Sequence, residues 1–243
     1  MKMCLKGLEK QHLRLSSGSL NFRVLFDDGW IIAAVTVLDT CDDILGVAVI
    51  FWYDFLLRVQ SEALQIHRGN STWSVQLPRG IPNGAWIADE VLYLRLRVRK
   101  HRPGGSLLMR SCTCRRMRGP RFCAFHRMKS LLDSVEVGEK VWDCNGYQTM
   151  KKLRIVLSGV GMQNAERLSW KSFRAGKASC MAAQGDDLGT ILTFGEWRSR
   201  AFLNYVDAST FDKSRLLQVS TDSSDEEAEP PLSRDAISCL PIL

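Results

Sequence analysis

Imidazole is scarce in this chain, and over one long stretch carboxylate is missing altogether. Four histidines occur among 243 residues and none follows His126, so chemistry carried by residues 127–243 has no histidine of its own to draw on. Long apolar runs are also lacking, although hydrophobic residues make up 45% of the chain. The two longest, Trp30 to Leu38 and Ile44 to Tyr53, are separated by Asp39, Asp42 and Asp43. Neither reaches the roughly 18 to 20 residues of a spanning helix, so no membrane partner is expected. Met1 to Lys10 carries charges and leads into Gln11, His12 and Arg14 instead of an apolar segment, which does not read as a secretory signal. An intracellular, reducing setting is expected, nuclear in a eukaryote and nucleoid or cytoplasmic in a bacterium. There, eight cysteines read as small buried residues or metal ligands before disulfides.

Acid is absent from Val91 to Leu132, where twelve basic residues stand together: Arg95, Arg97, Arg99, Lys100, Arg102, Arg110, Arg115, Arg116, Arg118, Arg121, Arg127 and Lys129. They exceed the formal net charge of +7 carried by the whole chain. A block of one sign repels itself unless an anion meets it, and phosphate suits the planar fork of arginine. A phosphate-bearing partner such as nucleic acid is expected, with Arg95, Arg97, Arg99 and Arg102 as candidate DNA-binding residues and a solvated basic face without a partner as the alternative.

Apolar residues are dense from Asp27 to His67, which predicts helices over about 29–39 and 42–66, with Asp42 or Asp43 near the second N-terminus. From Ser71 the period changes to two. Thr72 to Leu77, Val91 to Arg99 and Leu107 to Met109 predict three antiparallel strands, the second with a wet basic face. Arg102-Pro103-Gly104-Gly105 predicts the turn of the last hairpin and places Lys100 beside it. Further helices are expected over 125–132, 146–159, 172–184, 188–194 and 199–205. The fold class expected is α+β, mainly helical, with a small three-stranded antiparallel sheet. Asp222 to Glu229 is acidic and serine-rich and is followed by Pro230 and Pro231, a disordered composition, so 213–243 reads as a tail.

Three segments occur in an order that matters: Leu57-Arg58-Val59-Gln60-Ser61-Glu62-Ala63-Leu64, Trp170-Lys171-Ser172-Phe173-Arg174, and Phe194-Gly195-Glu196-Trp197, with Tyr205 eight residues beyond Trp197. With a lysine-bearing hairpin between the first two, the set resembles the catalytic domain of the tyrosine recombinase, or phage integrase, family. The resemblance covers roughly residues 23–212. It implies a catalytic domain over 26–212, a remnant of an upstream helical DNA-binding domain and linker over 1–25, and copies of the chain assembled on duplex DNA.

The resemblance also implies roles. Tyr205 would attack a DNA phosphodiester to give a 3′-phosphotyrosyl link and a free 5′-hydroxyl. Arg58 and Arg174 would hold the non-bridging oxygens, where negative charge gathers in the transition state. Lys100 would protonate the leaving oxygen as general acid. Trp197 would stand at the family's His/Trp position. Lys171 stands where the family commonly carries histidine, and an ammonium can hold a phosphate but is a poor base for a phenol. No nucleotide cofactor and no metal would enter the chemistry. The alternative is a DNA-binding module derived from such an enzyme and without activity.

Between the hairpin and the next helix lie Cys112, Cys114, Cys123 and His126, in a basic loop over 110–127. Three thiols and an imidazole at this spacing are a ligand set for a structural zinc ion, with a reduced, metal-free loop as the alternative.

Overall fold

Asp27 and Asp42 each open a helix in the same way. Their side-chain oxygens accept the backbone N–H groups of Trp30 and Leu45, three residues on, which gives a first-turn amide its partner. The helices are α1, Asp28–Cys41, and α2, Asp43–Asp54, in a computed structural model that describes residues 26–99, 102–115 and 119–197. From Leu45 to Asp54 α2 is buried at every position. A helix apolar all round must be covered all round. Its cover comes from α1, from α3 (Ala124–Asp133) and from α5 (Trp170–Ala183), while α4 (Gly146–Gly159) lies against α1. Among the described residues no helix is long and apolar enough to cross a membrane.

The second helix is shorter than its sequence predicts. It ends at Asp54, and the chain then bends through Leu56 with a positive φ of 52°. Phe55, Leu56 and Leu57 are all fully buried. The bend carries the chain out of the helix while these three side chains stay in the core. A single π-helical turn follows, Val59–Ala63, with Arg58 at its N-cap.

The sheet has four strands in the order β1 (Ile66–Arg68), β2 (Asn83–Ala88), β3 (Val91–Leu96), β4 (Ser106–Ser111). The pairs β2–β3 and β3–β4 are antiparallel, while β1 joins β2 in parallel. This α+β architecture is the expected class, with a sheet one strand wider. The expected strand over 72–77 is instead a 3-10 turn, Ser71–Ser74, started by Asn70, whose side chain accepts from Thr72 N–H. Trp73 and Leu77 then pack under Trp86 on the outer face of the sheet. The strand the sequence pattern missed, β2, takes their place beside β3. The other predicted helices fall within a residue or two of those observed, α6 being Leu188–Gly195, and the segment over 199–205 lies outside the described residues.

Alternation in β3 and β4 sends Leu92, Leu94, Leu96 and Leu108 into the main core. The same parity carries Ser106 and Arg110 inward. Register aligns Asn83 with Leu96 and Leu96 with Ser106, so the end of the sheet presents two buried polar side chains to the interior.

Candidate functional site

Glu62 lies at the centre of the first cluster. The π-turn buries it to 2% exposure, and Asn83 Nδ2 donates to its backbone carbonyl at 2.8 Å. Its carboxylate takes Arg58 Nη1 at 2.9 Å and the Arg58 backbone N–H at 2.9 Å, and Arg99 Nε lies 3.3 Å away. Arg99 also pairs with Glu196, Nη1 to Oε2 at 2.7 Å. Glu196 in turn accepts from Arg102 Nη1 at 3.0 Å and from Ser106 Oγ at 2.6 Å. One residue earlier, the Gly195 carbonyl accepts from Arg174 Nη2 at 2.9 Å, and the Arg174 guanidinium lies over the Trp197 ring at 4.7 Å.

Arg110 completes the group from β4. Its guanidinium sits between the rings of Phe55 and Phe194, at 4.9 and 4.2 Å, and donates to the carbonyls of Asp54 and Phe194. Burial pushes it down to about 10; Asp54 opposes that shift and nearby Arg99 adds to it. Asp54 also pairs with buried Lys177 at 3.3 Å, one helical turn beyond Arg174. Three guanidinium groups, Arg58, Arg99 and Arg102, thus pair with the carboxylates of Glu62 and Glu196, and those of Arg110 and Arg174 lie beside them on the backbone carbonyls of Asp54 and Gly195.

Of the residues singled out in the sequence, Arg58, Arg99, Arg102, Arg174 and Trp197 come together here. Lys171 lies exposed on the first turn of α5. Lys100 and Tyr205 lie outside the described residues. Arg99 is a correction to the wet basic face: at 4% exposure it is buried, because the chain leaves the strand after Leu96 and turns inward. Arg95 and Arg97 stay outside, where Arg97 donates to the carbonyls of Leu77, Pro78 and Ile81 and Arg95 to those of Val75 and Gly104. Glu196, Ser106 and Arg110 carry the cluster yet were not singled out as site residues. The parity of Ser106, Leu108 and Arg110 was the available signal.

The second cluster is Cys112, Cys114, Cys123 and His126, whose ligand atoms all lie within 4.8 Å of one another. Cys112 and Cys114 leave the end of β4, Cys123 is the N-cap of α3, and His126 stands in the first turn of that helix. His126 Nδ1 is 3.2 Å from Cys114 Sγ and 3.8 Å from Cys112 Sγ, and the sulfurs of Cys112 and Cys123 are 4.0 Å apart. Metal–sulfur bonds of about 2.3 Å and metal–nitrogen bonds of about 2.0 Å in a tetrahedron need edges of roughly 3.5 to 3.8 Å. The cluster could hold a metal ion. Backbone N–H groups of Thr113 and Cys114 already point at Cys123 Sγ and Cys112 Sγ, at 3.2 and 3.4 Å. Burial acts to raise the Cys123 thiol, but hydrogen bonds from His126 and Thr113 outweigh it and bring it down to about 6. Burial and its thiol neighbours push Cys114 up to about 12.

No protein-family model matches the chain, and no curated protein matches it.

Proposed function

We propose that this chain binds double-stranded DNA and cleaves and rejoins it by tyrosine recombinase chemistry. The observation that carries the reading is the guanidinium cluster. Arg58, Arg174 and Trp197, placed in sequence by the motif order, belong to one linked group with Arg99 and Arg102, which flank Lys100 in sequence; Arg99 and Arg174 are its buried members and Arg58 and Arg102 reach solvent. In the reaction the Tyr205 oxygen forms a bond to phosphorus and the bond from phosphorus to the 5′ oxygen breaks. Lys100 supplies the proton to that oxygen, and the phenol proton passes to solvent. Arg58 and Arg174 hold the charge of the transition state, worth about 3 to 4 kcal/mol for a donor of this kind. The reverse reaction with another strand's 5′-hydroxyl restores the phosphodiester, so no nucleotide is consumed.

Zinc is the ion proposed for the Cys3His cluster. Three thiols and an imidazole suit it, and four protein ligands leave no open position for catalysis, so its part is to tie β4 to α3. A second reading, a DNA-binding module without chemistry, is favoured by Lys171 standing exposed where a base belongs. A library of nicked duplexes separates the two readings. A covalent adduct that survives denaturation and is lost in Tyr205→Phe supports strand transfer. Salt-sensitive DNA binding without any adduct across the library supports the module.

A further inference from the structure

Glu196 closes α6 in a left-handed conformation, φ 48° and ψ 44°, at a position where glycine is the usual choice. An L residue is strained there, so something must hold it. Its carboxylate does so by accepting from three side chains at 2.6 to 3.0 Å: Arg99, Arg102 and Ser106. Arg99 and Arg102 belong to one turn of the β3–β4 connection and bond to each other through their backbones, Arg99 N–H to Arg102 O at 3.2 Å and Arg102 N–H to Arg99 O at 2.8 Å. In sequence, Lys100 and His101 lie between them, and Tyr205 lies nine residues beyond Glu196.

We infer that Glu196 is a positioning residue, whose carboxylate fixes Arg99 and Arg102 onto the end of α6. On the strand-transfer reading these two arginines flank the general acid in sequence, and α6 precedes the nucleophile. The inference rests on the strand-transfer reading and adds to it a residue that the motifs do not name. The side chain works through Arg99 and Arg102 and touches no reacting atom. A carboxylate suits the task because one group can grip two guanidinium forks and a hydroxyl at once. Among the described residues, removing it leaves Glu62 as the one carboxylate on the Arg99 guanidinium and none on Arg102.

Two measurements on the full chain test this. The first is amide hydrogen exchange, which needs no DNA. Glu196→Gln is expected to speed exchange at Arg99 and Arg102 at least tenfold while Leu92 and Leu94 in the core strand stay unchanged, and Glu196→Asp should recover part of the protection. Unchanged exchange in the turn, or faster exchange throughout the sheet, overturns the inference. The second uses the nicked duplex library in two forms, one with ordinary phosphodiesters and one with a sulfur in the bridging 5′ position. A thiolate leaves without a proton, so a defect in placing the general acid is bypassed. Glu196→Gln should slow adduct formation at least tenfold on the ordinary form and change it little on the sulfur form. Equal losses on both forms overturn the positioning role. An unaltered chain that forms no adduct on either form overturns the strand-transfer reading and this inference with it. Turn-confined exchange would then mark a purely structural clamp.

Discussion

Glu62 ties three separate parts of the chain together. Its buried carboxylate binds Arg58 and Arg99, and Asn83 bonds its carbonyl. Breaking a buried ion pair from one side leaves the other charge stranded, typically at about 3 to 5 kcal/mol. Glu62→Gln should lose that much in urea unfolding, whereas Arg58→Gln, with its side chain 30% exposed, should lose about 1 kcal/mol or less. Gly176 gives a second test. A Cβ there would stand 2.1 Å from the Phe26 carbonyl oxygen, with Phe26 backbone on the other contacts too, so neither partner can swing away. Gly176→Ala should destabilise by more than about 2 kcal/mol, well beyond the usual point-mutation cost. At this scale Arg58, Arg174 and Trp197 were legible because their spacing is carried by the chain itself. Glu196 was not, because its role depends on a turn nearly a hundred residues away, and no local pattern encodes that meeting.

At the scale of elements, turn chemistry explains both what could be read and what could not. Arg102-Pro103-Gly104-Gly105 announced the last hairpin, and Gly105 has φ +76° with its Cβ position 1.9 Å from the Leu96 carbonyl oxygen, so only glycine fits. The β2–β3 turn gave no such signal, because Asp89 and Glu90 occupy positive φ, 48° and 57°, where asparagine and glycine are usual. That is why β2 escaped notice and the strand over 72–77 was expected instead. Replacing the pair by Asn-Gly should raise stability by about 0.5 to 1 kcal/mol, read from the urea midpoint. The Cys3His cluster was legible from spacing alone, since its ligands come from one strand end and one helix start. If zinc fills it, mass analysis under native conditions should find one ion per chain. Chelation should then lower the melting temperature by on the order of 10 °C, given about 4 kcal/mol of binding free energy and some 2 to 4 °C per kcal/mol. A melting curve unchanged by chelation would dismiss the metal.

Over the whole molecule, charge and core divide the work. Apolar periodicity placed α1 to α5 well, since long amphipathic or apolar segments decide their own burial. The basic block was expected to meet phosphate, with the strand over 91–99 carrying a wet basic face, and part of that reading changes here. Arg95 and Arg97 remain outside, while Arg99 and Arg110 are drawn inward to meet Glu62, Glu196 and two phenylalanine rings. Among the described residues, Arg58, Arg99 and Arg102 pair with Glu62 and Glu196, while Arg110 and Arg174 pack beside them on backbone carbonyls and aromatic rings; on the proposed reading this group of cations meets a phosphodiester. The affinity of the full chain for a short DNA duplex at rising salt tests this most directly, with Arg58→Gln beside it. Each phosphate neutralised contributes about 0.9 to the slope of log affinity against log salt. The account predicts a steep slope for the unaltered chain and one shallower by about that amount in the variant. Binding that ignores salt, or the same slope in both proteins, would contradict it.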